Sequence, residues 1–235
     1  MRSVLRASCL ACCLLVTSVL SGCAAVDSTV IAVLAADEGA QVQQPLDVDR
    51  LEERVEEICD GCTVEVFDAG SDADTQAEMF DEALVDADLV ILDPVDPELA
   101  ESLVQRAGEV PVLAYGTLVP GADWFVGVAV PATPATGVSS DVEAAREVIS
   151  KDRDSFSYVP AATMSTKAAE VAVGELADEP VGESVDHEGV DSWLYESVEV
   201  TVNDLTSVVV ASGAMTLAEL CSGDTAKRCA KLGLI

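Results

Sequence analysis

The chain is predicted to be an α/β protein, a parallel sheet flanked by helices. Short apolar runs rich in β-branched residues recur along its first half, stretches with helical spacing separate them, and turn residues mark the joins. Runs that are apolar without alternation suit strands covered on both faces, the condition of a parallel sheet.

The expected strands are "TVIAVLA" (29–35), "TVEVF" (63–67), "DLVILD" (88–93) and "VPVLAY" (110–115). Between them Leu51, Val55 and Ile58 share one helical face, as do Phe80, Ala83 and Leu84, and again Leu99, Leu103 and Ala107. Asp96 is placed to cap the third helix with Pro97 at its first position. After "DWFVGVAV" the pattern breaks at "PATPATGVSS", residues 131–140, which reads as a linker. A helix "DVEAAREVIS", a strand "SFSYVP" and a helix "STKAAEVAVGEL" follow, then a polar loop over 178–191. "SWLYESVEVTV" reads as a strand and "NDLTSVVVAS" as a capped helical turn closed by Gly213.

The amino terminus stands apart from this pattern. Arg2 and Arg6 precede the apolar stretch "CLACCLLVTSVL", which gives residues 1–22 the form of a secretory signal peptide. Leu20-Ser21-Gly22-Cys23 resembles a lipobox, which implies lipidation at Cys23, a short tether over 23–28, and an exported domain anchored to the outer face of the cell membrane. The stretch is short for a comfortable membrane span. In an exported chain Cys59, Cys62, Cys221 and Cys229 remain to form two disulfides, and of the three possible connectivities the local pairs Cys59–Cys62 and Cys221–Cys229 are favoured. A redox or zinc use of the C-x-x-C is the alternative, but that pair follows a helix rather than opening one.

Charge and motifs exclude several functions. With 12 basic against 43 acidic residues and a net charge of −31, the chain lacks the cationic surface that nucleic acid requires. The acids are spread along it, as on a solvated or salt-adapted surface. There is no G-x-G-x-x-G after the first strand, no P-loop and no H-E-x-x-H. The single histidine, His187, lies in an acidic loop with no serine elbow to suggest a triad. Asp68, Asp72 and Asp74 lack the frame of a calcium loop and read as a helix cap with a solvated turn. Neither a cofactor, a metal nor an enzymatic activity is expected.

A parallel sheet meets its ligand beyond the carboxyl ends of its strands. Those ends supply Asp37 and Glu38, Asp68, Asp93 and Asp96, then Tyr115, Gly116 and Thr117, with Trp124 expected nearby. Carboxylates beside an aromatic suit a sugar, accepting from its hydroxyls and covering its ring.

"LVILDPVDPELAESLVQRAGEVPVLAYGTL" resembles the N-terminal lobe of the xylose-type sugar-binding lipoproteins of ABC importers. "SYVP", "KAAEVAV" and "VEVTVNDLTSVVVASGAMTLAELCSG" resemble that family's carboxyl-terminal part, including its closing cysteine pair. The resemblance implies a single lobe of a type I periplasmic-binding-protein fold over 29–130, a linker at 131–140 replacing most of the second lobe, and a segment 141–235 returning to the first. It further implies a pentose-like monosaccharide as ligand and an ABC permease as partner. Where the family reads Ala-Tyr-Asp-Arg this chain has Ala114-Tyr115-Gly116-Thr117, and its Gly-Gln-Asp turn is replaced by a stretch that leaves Asp141 as a displaced counterpart. Weakened or lost sugar binding is therefore expected, with a single-lobed interaction or regulatory lipoprotein as the alternative.

Overall fold

The computed structural model describes residues 28–36, 46–129 and 141–235. In chain order its elements are β1 (Thr29–Ala35), α1 (Val48–Ile58), β2 (Cys62–Asp68), α2 (Ala73–Ala83), β3 (Leu89–Leu92), α3 (Pro97–Ala107), β4 (Val112–Gly116), β5 (Trp124–Val128) and α4 (Asp141–Ser150). There follow β6 (Ser155–Tyr158), α5 (Ala161–Leu176), β7 (Val185–His187), β8 (Val190–Tyr195), β9 (Val198–Thr201), a π-helical turn (Leu205–Val210), α6 (Leu217–Leu220), a 3-10 turn (Gly223–Thr225) and α7 (Ala226–Leu232).

The main sheet has seven strands in the order β2-β1-β3-β4-β5-β8-β7, parallel except for β7, which runs antiparallel to β8. Alternate residues of each central strand enter opposite cores, as the pleat requires. Ile31, Ile91, Leu113 and Val126 pack under α1 and α5, while Leu34, Leu92, Ala114 and Phe125 pack under α2 and α3. The predicted class of parallel sheet between helices is thus the observed one.

Several elements differ from the sequence pattern for visible reasons. The run at β2 is an edge strand with Glu65 and Val66 exposed, so it is not covered on both faces. Leu99 is 49% exposed because Ala100, Leu103 and Ala107 form the inward stripe of α3. Ile58, at the last turn of α1, is also exposed. The expected polar loop 178–191 contains β7 and the start of β8. The stretch "SWLYESVEVTV" is broken at Glu196–Ser197 into β8 and β9, which belong to different sheets.

Of the segment expected to return to the lobe, α5, β7 and β8 join the main sheet and its cover. The remainder gathers round a core of its own. There β6 and β9 pair antiparallel, and Phe156, Val200, Ile149, Leu205 and Leu220 are buried together with the disulfide-linked Cys221 and Cys229. The chain passes to this smaller body after β5, back to the sheet after β6, and out again after β8. The second local disulfide, Cys59–Cys62, joins the end of α1 to the start of β2. Both disulfides have the pairing the sequence favours.

Candidate functional site

The carboxyl ends of the parallel strands form one edge of the sheet, and the amino ends of α1, α2, α3 and α5 come to the same edge because each helix runs back against the strands. Each of the first three helices spends a carboxylate on its own amino end. Asp47 accepts from Arg50 N, Asp72 from Thr75 N, and Asp96 from Glu98 N and Leu99 N. The Asp96 cap and Pro97 at the first turn match the sequence expectation. Asp72 is held below its ordinary range chiefly by the Thr75 backbone and side-chain bonds, as a cap should be. Asp68 accepts from Gly70 N at 2.8 Å in a solvated turn.

Asp93 and Tyr115 occupy the floor of this edge. Asp93 is 1% exposed, and its Oδ2 accepts from Leu46 N at 3.3 Å while its Oδ1 has no hydrogen-bond partner. Burial pushes its carboxyl well above the ordinary range, and the amides of Leu46 and Ala36 only partly oppose this. Tyr115 is fully buried; its hydroxyl donates to Ala161 O at 3.3 Å and lies 3.1 Å from Ser165 Oγ. Ser165 Oγ in turn accepts from Asp47 N at 2.9 Å. With the Tyr115 proton given to Ala161, the Ser165 proton serves the Tyr115 oxygen. A directed chain therefore runs from the entry of α1 through α5 to β4. Burial first, then the neighbouring Asp93 and Asp47, pushes the Tyr115 phenol well up, against the Ser165 bond.

A further link fixes the loop after β3. Gln76, 2% exposed on α2, donates to Asp93 O at 2.8 Å and accepts from Val95 N at 2.9 Å. Gln76 and Ser165 were not among the sequence candidates. The available signal was a lone polar residue inside an apolar helical stripe, at Gln76–Phe80–Ala83 and at Ala161–Ser165–Ala168–Ala172.

The other candidates are not gathered here. Thr117 lies at the rim, but its N–H closes a three-residue turn onto Tyr115 O at 2.7 Å, with φ +69° at Gly116. Trp124 is at the opposite edge, since it starts β5 and pairs in register with Leu113, whereas Gly127 pairs with Gly116. Its expected place beside the strand ends is corrected by that register. In its stead Tyr195, half-buried at the end of β8, joins the buried Tyr115 as an aromatic at this edge. Cys23, Asp37 and Glu38 lie outside the described residues, as does the side chain of Asp141, whose backbone begins α4.

Among the described residues no group of three or more His, Cys, Asp or Glu side chains could hold a metal ion, and no helix is long and apolar enough to cross a membrane. A groove of about 290 Å³ lies between α2 and α3, lined by Gln76, Asp96, Leu99, Leu103 and Arg106 among others. Its place is outside the floor formed by Asp93 and Tyr115.

No family model and no curated protein matches the chain. Among solved structures it is similar to an ABC transporter solute-binding protein from Clostridium phytofermentans with bound β-D-glucose, at a TM-score of 0.63 and 10% identity, over 82% of this chain and 100% of that one. It is also similar to a carbohydrate-transporter solute-binding protein from Chloroflexus aurantiacus in complex with D-glucose, at a TM-score of 0.59 and 12% identity, over 81% of this chain and 97% of that one. The parallel sheet, its helical cover and these two matches establish that the chain shares its fold with the solute-binding proteins of ABC transporters.

Proposed function

We propose that the chain is a solute-binding-protein-like component of an ABC sugar importer, exported and held to the outer face of the membrane through lipidated Cys23, and that its sugar site has decayed. The fold shared with two glucose-bound proteins supports the ancestry. The lipobox-like stretch supports the anchor. The role is one of binding rather than catalysis.

The observation that carries the decay is the inward commitment of the polar groups at the strand ends. Asp47, Asp72 and Asp96 serve helix ends, Tyr115 serves Ala161 and Ser165, and the Thr117 amide serves its own turn. Gly116 and Thr117 stand where the resemblance expects an acid and an arginine. Hydrogen bonds to charged groups contribute about 1.5–3 kcal/mol each, so losing several removes most of the roughly 8 kcal/mol behind micromolar affinity. On this reading the small body built on β6 and β9 stands where the resemblance implies a full second lobe.

Isothermal titration of the folded domain with xylose, ribose and glucose tests this reading. The expected outcome is no saturable heat below about millimolar, a level equivalent to about 4 kcal/mol. Micromolar binding of any of the three would overturn the decay and leave an ordinary sugar receptor. A second reading, an interaction or regulatory lipoprotein without small-molecule ligand, is favoured by the α2–α3 groove and the half-exposed Leu99 within it.

A further inference from the structure

Leu46 and Asp47 form the junction through which the chain enters α1, and two hydrogen bonds from their amides hold it to the sheet edge. One is received by Asp93 Oδ2 at 3.3 Å and the other by Ser165 Oγ at 2.9 Å. The second acceptor is neutral and satisfied at every pH at which the fold persists. The first is a carboxyl with 1% exposure, a long hydrogen bond from Leu46 and an Oδ1 without a hydrogen-bond partner, with the Ala36 amide close enough to favour its charge. From this geometry we infer that Asp93 is a proton-controlled catch: with its proton it holds the entry of α1 closed over the strand ends, and without it the junction opens to let water reach the carboxylate.

Among the described residues only the amides of Leu46 and Ala36 favour the ionised group, and burial outweighs both. Among the described residues the titratable group coupled to it is Tyr115 from β4, which repels a carboxylate when ionised and is itself raised by Asp47 at the start of α1 and by Tyr195 at the end of β8. From α2 and α5 come the neutral Gln76 and Ser165. No lysine, arginine or histidine among the described residues pairs with Asp93, and the sequence between Ala36 and Leu46, "DEGAQVQQP", contains none. A buried, unpaired charge is disfavoured strongly enough that a protein either neutralises it or hydrates it. Burial holds the closed-state carboxyl well above its ordinary range, so the sign follows. Closure is fully stabilised at pH below the ordinary aspartate range and is lost as pH rises from there toward the raised closed-state value. The closed form carries one proton more than the open form, so across that window the opening equilibrium grows tenfold per pH unit. The catch lies at the strand ends where the proposed function places the decayed sugar site, yet it rests on no ligand being bound there.

Hydrogen exchange of the Leu46 and Asp47 amides, corrected for the intrinsic pH dependence of exchange, reads the opening directly. In the wild type the corrected protection should fall about tenfold per pH unit across the window, whereas in Asp93→Asn, which keeps an acceptor for Leu46 but has no proton to lose, it should be flat. Equal slopes in the two proteins, or a flat wild type, would overturn the inference. Should the variant not fold, the wild type still decides. A ¹³Cγ resonance of Asp93 that titrates at the ordinary carboxylate pH refutes the catch, and one displaced upward in step with the loss of protection supports it.

Discussion

Gly174 illustrates how one atom decides a contact. It lies in the last turn of α5, and a Cβ built there would stand 2.8 Å from Val181 Cγ1 and 3.2 Å from Glu179 O, because the chain leaving the helix folds straight back across it. Alanine in a helix interior is favoured over glycine by about 1 kcal/mol; overpacking a tight contact costs about 1–3 kcal/mol. Backbone oxygen yields less readily than a flexible side chain, so the clash should win. Gly174→Ala is expected to lower the unfolding free energy by about 1 kcal/mol, read as a lower urea midpoint at unchanged slope, and a raised midpoint would show that the return loop moves aside freely. At this scale the sequence was legible where chemistry is local. Asp96 followed by Pro97 announces a cap from adjacent residues alone. The Asp47–Ser165–Tyr115 chain joins residues distant in sequence, and no local signal says that a serine in one helix meets a tyrosine in a strand.

Among the elements, the smaller body depends most on covalent help. Its sheet has two strands, its helices α6 and α7 are short, and the Cys221–Cys229 disulfide sits in its core with Cys229 fully buried. Closing that loop contributes about 2.5 kcal/mol by chain entropy. Replacing both cysteines by alanine should therefore expose residues 217–232 to limited proteolysis while the α1–α5 face of the main sheet stays protected. Uniform loss of protection across both bodies would mean that they unfold as one. Strand existence was legible from apolar runs, but partner choice was not. The alternation in "SWLYESVEVTV" continues through Glu196 and Ser197, so nothing in its period marks the point where the chain changes sheets. Trp124 was misplaced for the same kind of reason: its distance along the chain from Tyr115 is small, but the register of β5 against β4 puts it at the other edge.

For the molecule as a whole, the dominant electrostatic fact is the net charge of −31. Arg50, Arg54, Arg106, Arg153 and Lys167 are already paired with carboxylates, the Arg54–Glu170 bond at 2.9 Å tying α1 to α5. Much of the remaining acid repels acid across the folded surface more strongly than along an extended chain. Salt shortens the reach of that repulsion from about 30 Å at 0.01 M to about 3 Å at 1 M. The melting temperature should accordingly rise over that range, by about 2–4 °C for each kcal/mol of repulsion screened in a chain of this size, and equally with sodium or potassium chloride. A midpoint that falls as salt is added would show that the ion pairs outweigh the repulsion.

The repeated passage of the chain between the main sheet and the smaller body also sets an order of events during synthesis. When residues up to Ala129 have left the ribosome, β5 is the last strand of the growing sheet, and its outer edge has no partner. The neighbour that covers it, β8, is made only after α4, β6 and α5, so the lobe waits with an open edge while half of the smaller body is translated. The smaller body waits in turn, because β6 gains its partner β9 only once β8 has been delivered. Neither half can be finished, or released by a single proteolytic cut, without the other.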